Sequence, residues 1–117
     1  MREVLTYALS LGLDPKKIYM GLPLYGYDWP EGGEAEGREY EDVVRIANQE
    51  GALVRFDAFA ASPVVTYTED GTDRELWFEN VESFAAKYRL AHEYGLGGVH
   101  FWRLGREDTR IYGVIGE

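Results

Sequence analysis

Two glycine-punctuated apolar runs constrain this chain more than any other feature: Ile18-Tyr19-Met20-Gly21-Leu22-Pro23-Leu24-Tyr25 and Gly97-Gly98-Val99-His100-Phe101-Trp102. Neither shows the apolar and polar alternation of a strand with one face in water. Both read as strands covered on both faces, which is the pattern of a parallel sheet. Pro23 has no amide hydrogen to give to a ladder, so regular pairing is expected to weaken there. The chain should then leave the first strand through Tyr25-Gly26-Tyr27-Asp28-Trp29-Pro30 as an aromatic loop.

Helices flank these runs. Val4, Leu5, Ala8 and Leu11 recur at helical spacing between Arg2 and Leu11, and Gly12 suits the left-handed position that ends a helix. A third helix, Val81 to Tyr94, is capped by Asn80, carries the apolar stripe Phe84, Tyr88 and Ala91, and ends at Gly95. Between the runs lies a small α+β excursion. Glu31 to Gly37 holds three Gly and three Glu in seven residues, as a solvated, mobile loop without chemistry of its own would. A second helix from about Arg38 to Glu50 buries Tyr40, Val43, Val44 and Ala47, pairs Glu41 with Arg45, and stops at Gly51. Three short β segments follow, at residues 53–58, 64–69 and 74–79, with Asp70-Gly71 as the turn of a hairpin. A further helix starts near Thr109.

The order helix, buried strand, α+β excursion, helix, buried strand is that of two βα units of a parallel barrel with an insertion after the first strand. The fold class is therefore α/β, the C-terminal part of a (β/α)8 TIM barrel with a small α+β insertion domain. A complete barrel typically needs about 250 residues, and this chain has 117.

Charge narrows the partners. A formal net charge of -9 repels phosphate backbones and anionic lipid, so neither nucleic acid nor a membrane surface is expected as a partner, and a neutral ligand suits the chain better. With no cysteine there is neither a disulfide framework nor a thiolate metal site. His92 and His100 form no recognisable ligand pair, and no metal or other cofactor is expected. Aromatic residues make up 15% of the chain, with nine Tyr and three Trp. That suits stacking on sugar rings and equally suits a small core seeking buried area.

Residues Lys17 to Trp29, KIYMGLPLYGYDW, closely resemble the seventh barrel strand of family 18 glycoside hydrolases, above all the chitinase-like, spore-germination and cortex-lytic branch. Leu76-Trp77-Phe78-Glu79-Asn80 resembles the end of that family's insertion domain, and Gly95 to Gly105, GLGGVHFWRLG, resembles its eighth strand. The resemblance implies three regions: 1–30 with a helix and strand seven, 31–80 as the insertion lobe, and 81–117 with a helix, strand eight and the start of the last helix. It also implies cleavage of β-1,4 bonds next to N-acetylglucosamine in chitin, peptidoglycan or spore cortex, and a cell-wall, spore or extracellular location. In such enzymes a glutamic acid protonates the glycosidic oxygen and the substrate's own acetamido group attacks, an exception to the scheme of two carboxylates. Those acids lie on strand four, in a D-x-x-D-x-D-x-E pattern that is absent here, so the catalytic acids are expected outside this chain and the chain alone to be inactive. Asp70-Gly71-Thr72-Asp73-Arg74-Glu75 comes one step short of that pattern, but it surrounds a polar turn instead of ending an apolar strand.

Four aromatics are the expected substrate-binding residues. Trp102 ends the second apolar run, the end that faces the mouth of a barrel. Its counterpart in relatives floors the sugar at the cleavage site. Tyr25 matches a tyrosine at the mouth of strand seven, and Tyr27 and Trp29 follow it, Tyr27 standing where chitinases commonly carry arginine. Each has a plainer alternative: Trp102 as a core residue bonded to backbone, and Tyr25 as packing beside Pro23. Trp77 and Phe78 are both expected to pack. Two further readings stay open, a non-catalytic lectin-like carbohydrate-binding protein and a purely structural insertion module. A homo-oligomer is expected, because strands cut from a barrel leave their outer edges unpaired.

Overall fold

The two apolar runs do pair. In the computed structural model, which describes residues 1–116, strand β1 (Tyr19–Pro23) lies parallel to β7 (Gly98–Trp102), in the register Met20 to Val99 and Leu22 to Phe101. The Leu24 amide donates to the Trp102 carbonyl and extends the pairing by one residue. Helix α1 (Arg2–Ser10) and helix α3 (Val81–Glu93) cover one face of this pair. There Met20, Leu22 and Leu24 bury against Leu5, Phe84, Ala91, Leu96 and Ile111.

Only one face is covered, contrary to the expectation of cover on both. Tyr19, Gly21, His100 and Trp102 line the other face and are exposed, because no other described element packs there. On that face each large side chain lies across a small or flat partner: Tyr19 opposite Gly98, His100 opposite Gly21, and Trp102 opposite Pro23. A Cβ on Gly98 would sit 2.9 Å from the Tyr19 ring, and one on Gly97 would meet the Lys16 carbonyl at 2.2 Å. This accounts for the glycines that lead the second run.

The excursion between the runs is a five-stranded antiparallel sheet in the order β3-β2-β6-β5-β4, with β2 at Gly26–Pro30, β3 at Glu36–Arg38, β4 at Val54–Asp57, β5 at Ser62–Glu69 and β6 at Thr72–Trp77. Helix α2 (Tyr40–Glu50) packs Val43 and Ile46 onto Val65, Leu76 and Phe78. Asp70 and Gly71 both take positive φ, 50° and 74°, the twist a two-residue hairpin turn needs.

Several boundaries differ from the reading of the sequence. Tyr25 to Pro30 is not a loop, since Gly26–Pro30 forms a strand that pairs on both sides, with β3 and with β6. Its alternation of small or polar residues with aromatics is period two, which the eye reads as turn chemistry because Gly and Pro bracket it. Glu31 to Gly37 is not wholly a loop either, for Glu36–Arg38 adds an edge strand opposite Gly26 to Asp28. Of the apolar stripe proposed for the first helix only Leu5 is buried, while Val4 and Leu11 face solvent. Val44 is exposed, and Arg45 bonds to Asp42 one helical turn back instead of Glu41. A 3-10 turn, Thr109–Gly113, stands where a further helix was expected to start.

Two polar clusters join the parts. Lys87, on α3, reaches both the Glu79 carboxylate and the Ser62 hydroxyl at the start of β5, the latter at 3.1 Å, and Ser83 donates to Glu79 at 2.6 Å. All but Ser62 are buried. Beyond β7, Asp108 accepts from the Val81 amide at the first turn of α3 at 2.8 Å, and Arg110 reaches the Tyr40 hydroxyl of α2 at 3.0 Å. The first cluster sets a test. Lys87→Met leaves the Glu79 carboxylate buried without its cation, a loss of the kind that costs about 3–5 kcal/mol. A large drop in the urea midpoint is expected for Lys87→Met, with much of it recovered in the double variant Lys87→Met/Glu79→Leu.

Candidate functional site

The site begins with a buried acid. Asp28 sits midway along β2, opposite Leu76 and fully buried, on the face of the sheet that α2 covers. Its Oδ2 accepts from the Tyr67 hydroxyl at 2.5 Å and from Arg38 at 3.3 Å, and Arg74 approaches to 3.2 Å. Arg38 in turn bonds Glu36 at 2.8 Å. Two guanidinium groups and a phenol thus gather on one oxygen of a buried carboxylate and pair its charge, while Oδ1 has no hydrogen-bond partner among the described residues. Burial pushes the Tyr67 hydroxyl up to about 12, and its bond to Asp28 adds to the rise. Burial works against the charge on Arg38 and Arg74, but their carboxylate partners outweigh it and hold both above the ordinary arginine range.

Side chains alternate along a strand, so fixing Asp28 inward turns its neighbours Tyr27 and Trp29 outward. Both are about half exposed. Tyr25, half-buried just before β2, meets Tyr27 edge to face at 5.6 Å, and Tyr27 meets Trp29 at 6.2 Å. Trp102, at the end of β7, is 66% exposed. It lines a cavity of about 400 Å3 together with Tyr25, Tyr27, Gly37, Arg38, Glu39 and Arg103. A neighbouring depression of about 220 Å3 lies among Tyr25, Tyr27, Trp29 and Trp77.

The structure therefore brings Trp102, Tyr25 and Tyr27 to one cavity, and Tyr27 connects them to Trp29. Trp102 is not the backbone-bonded core residue of the plainer alternative. Phe78 is buried and Trp77 half-buried, with the Trp77 indole donating to Glu75 at 3.0 Å. Sequence reasoning missed Arg38, Glu39 and Arg103 as lining residues and Asp28 as the anchor. The one available signal was the period-two pattern Gly26, Asp28 against Tyr27, Trp29. Chemically, flat aromatic faces beside a guanidinium and a carboxylate suit a ligand with an apolar ring face and many hydroxyls.

Comparison with known proteins places this geometry. The sequence matches the model described as glycosyl hydrolases family 18 over residues 1–107. It is 37% identical to the cortical fragment-lytic enzyme of Bacillus subtilis (strain 168) over 90% of this chain and 26% of that protein. The chain thus spans about a quarter of that relative's length. The crystal structure of the spore cortex-lytic enzyme SleL of Bacillus cereus superposes with a TM-score of 0.87 at 32% identity, over 96% of this chain and 27% of that one. A chitinase from Chromobacterium violaceum gives a TM-score of 0.85 at 35% identity, over 95% and 35% respectively.

The Asp28 cluster predicts a pH dependence. Tyr67 titrates near 10 when unfolded and about 12 when folded, so its contribution to stability is whole below pH 10 and is lost as pH rises through 12. Denaturant unfolding followed across that window should show a fall in stability that is smaller in Tyr67→Phe.

Proposed function

This chain belongs to glycosyl hydrolase family 18, and we propose that it forms the sugar-binding, cleft-shaping portion of an enzyme that hydrolyses β-1,4 bonds of N-acetylglucosamine-containing glycans. Trp102 floors the sugar at the cleavage point, Tyr25 hydrogen-bonds its hydroxyls or acetamido group, and Tyr27 and Trp29 continue the stacking surface. The carrying observation is the cavity that Trp102 shares with Tyr25 and Tyr27 at the ends of β1 and β7. Curated relatives named as cortical fragment-lytic enzymes favour peptidoglycan of the spore cortex over chitin as the glycan.

In this reading β1 and β7 are the seventh and eighth strands of a (β/α)8 barrel, and the five-stranded sheet with α2 is its insertion domain. The proton donor and the aspartates that orient the acetamido group belong to the parent enzyme outside residues 1–117. The residues here bind and orient the glycan and carry no step of proton transfer. Support comes from the paired strands themselves: each pairs only with the other among the described residues, and one face of the pair is bare.

Binding tests the reading directly. N-acetylglucosamine oligomers should perturb the Trp102 indole resonance, and Trp102→Ala should weaken binding about tenfold or more. Shifts that leave Trp102 silent count against the assignment. No product should be released from chitooligosaccharides or cortex peptidoglycan by the isolated chain, and turnover abolished by Glu75→Gln would overturn that. We also propose that the isolated chain self-associates through the outer edges of β1 and β7 and the bare Val4, Tyr7 and Leu11 face of α1. Sedimentation equilibrium at micromolar concentration should show a dimer or larger species, and a strict monomer would refute it.

A further inference from the structure

We propose that Arg103 determines which glycan the Trp102 cavity prefers, by pairing its guanidinium with the carboxylate of N-acetylmuramic acid. That sugar is N-acetylglucosamine carrying a lactyl ether, and the two alternate in peptidoglycan, whereas chitin has no acid. This role of Arg103 rests on the reading of Trp102 as the floor of a sugar site.

Arg103 follows Trp102 directly at the end of β7, and both line the cavity of about 400 Å3. Its side chain is 64% exposed and reaches across the mouth towards Glu39, which lies between β3 and α2. That contact, from Nη2 to Oε1, is 3.8 Å, too long for a hydrogen bond. An ion pair so exposed and so spaced holds little. Glu39 is also the N-cap residue of α2, so its carboxylate answers the partial positive charge of the helix N-terminus as well. The Arg103 fork therefore keeps its donors for a ligand. Arg38, the other cation of the cavity, is committed: it bonds Asp28 at 3.3 Å and Glu36 at 2.8 Å.

Two kinds of surface thus meet at the cavity mouth. Trp102 and Tyr27 offer exposed flat faces to a pyranose ring. Beside them stands one guanidinium, whose paired N–H groups match the two oxygens of a carboxylate. A ligand that satisfies both carries its acid on a short arm from the ring. Across the cavity, a Cβ added at Gly37 would meet nothing within 4 Å, so that wall leaves room for a substituent. A carboxylate suits the place better than a phosphate, because Glu39 stays at the rim and repels a dianion more strongly. The net charge of -9 disfavours anions at long range, but salt confines that field to about 10 Å. Inside that radius Arg103 supplies the positive charge.

The test compares tetrasaccharides of equal length: chitotetraose, the alternating tetramer of N-acetylglucosamine and N-acetylmuramic acid, and the methyl ester of the latter. Each is titrated into the 117-residue chain by calorimetry, with the Trp102 indole resonance followed by NMR. The free acid should bind about tenfold more tightly than chitotetraose, and the ester should lose that advantage. Raising the salt should narrow the gap by weakening the acid alone. In Arg103→Gln the ratio of acid to chitotetraose affinity should fall towards one. The side chain is exposed, and thermal unfolding checks that the fold is kept. Equal affinity for acid and chitotetraose, an ester as good as the acid, or a preference that survives Arg103→Gln overturns the proposal. A different result refutes the Trp102 reading and the role of Arg103 with it: no binding of any of the three, or binding that leaves the Trp102 resonance unmoved.

Discussion

A single buried carboxylate sets the orientation on which the candidate site depends. Asp28 is drawn to Arg38 from β3, Tyr67 from β5 and Arg74 from β6, so both strands beside β2 and the one beyond β6 hold one of its residues. A slip of one residue would carry the acid into the open and put Tyr27 inside. An apolar residue at this position would pack, but it would name no partner. A charge with two fitted donors and a second guanidinium beside it specifies the register as well as occupying the space, and the outward aromatic line follows from it.

The sheet so fixed must also be held against the paired strands, and here the Lys87 cluster and the segment after β7 share the work. Lys87 ties α3 to the start of β5, and Asp108 with Arg110 ties the same helix and α2 to the residues that follow Trp102. The Trp102 cavity is bounded by groups from both sides of this junction: Trp102 and Arg103 from one, and Tyr27, Gly37 and Arg38 from the other. Its shape is therefore a property of the junction more than of either part.

Much of this was legible in the sequence, and the reasons differ by element. The two apolar runs, the Asn80 cap and the Asp70-Gly71 turn carry strong local signals, and each stands where those signals put it. Trp102 and Tyr25 were found through resemblance, since position at a strand end means little until the strand is known. β2 was lost because Gly26 and Pro30 mimic a loop, although a Cβ on Gly26 would meet the Trp77 carbonyl at 2.5 Å, a close-approach role that no local pattern announces. Bare faces were invisible for another reason: hydrophobicity says what a residue seeks, and whether a covering element is present is a matter of tertiary arrangement. Asp28 and its partners lie ten to forty-six positions apart, beyond the reach of any period.

The pairing of Met20 with Val99 has a kinetic side. Every pairing in the five-stranded sheet but that of β2 with β6 joins neighbours in sequence, whereas β1 and β7 lie on either side of that whole excursion. Closing so long a loop costs entropy that accumulates before the contact can return anything. The sheet around the β5–β6 hairpin is thus expected to condense early, with β1 and β7 arriving late. In the interval two short apolar strands stand open with nothing to choose between their proper mate and the same strand in another molecule. Concentration, then, decides which pairing is reached first.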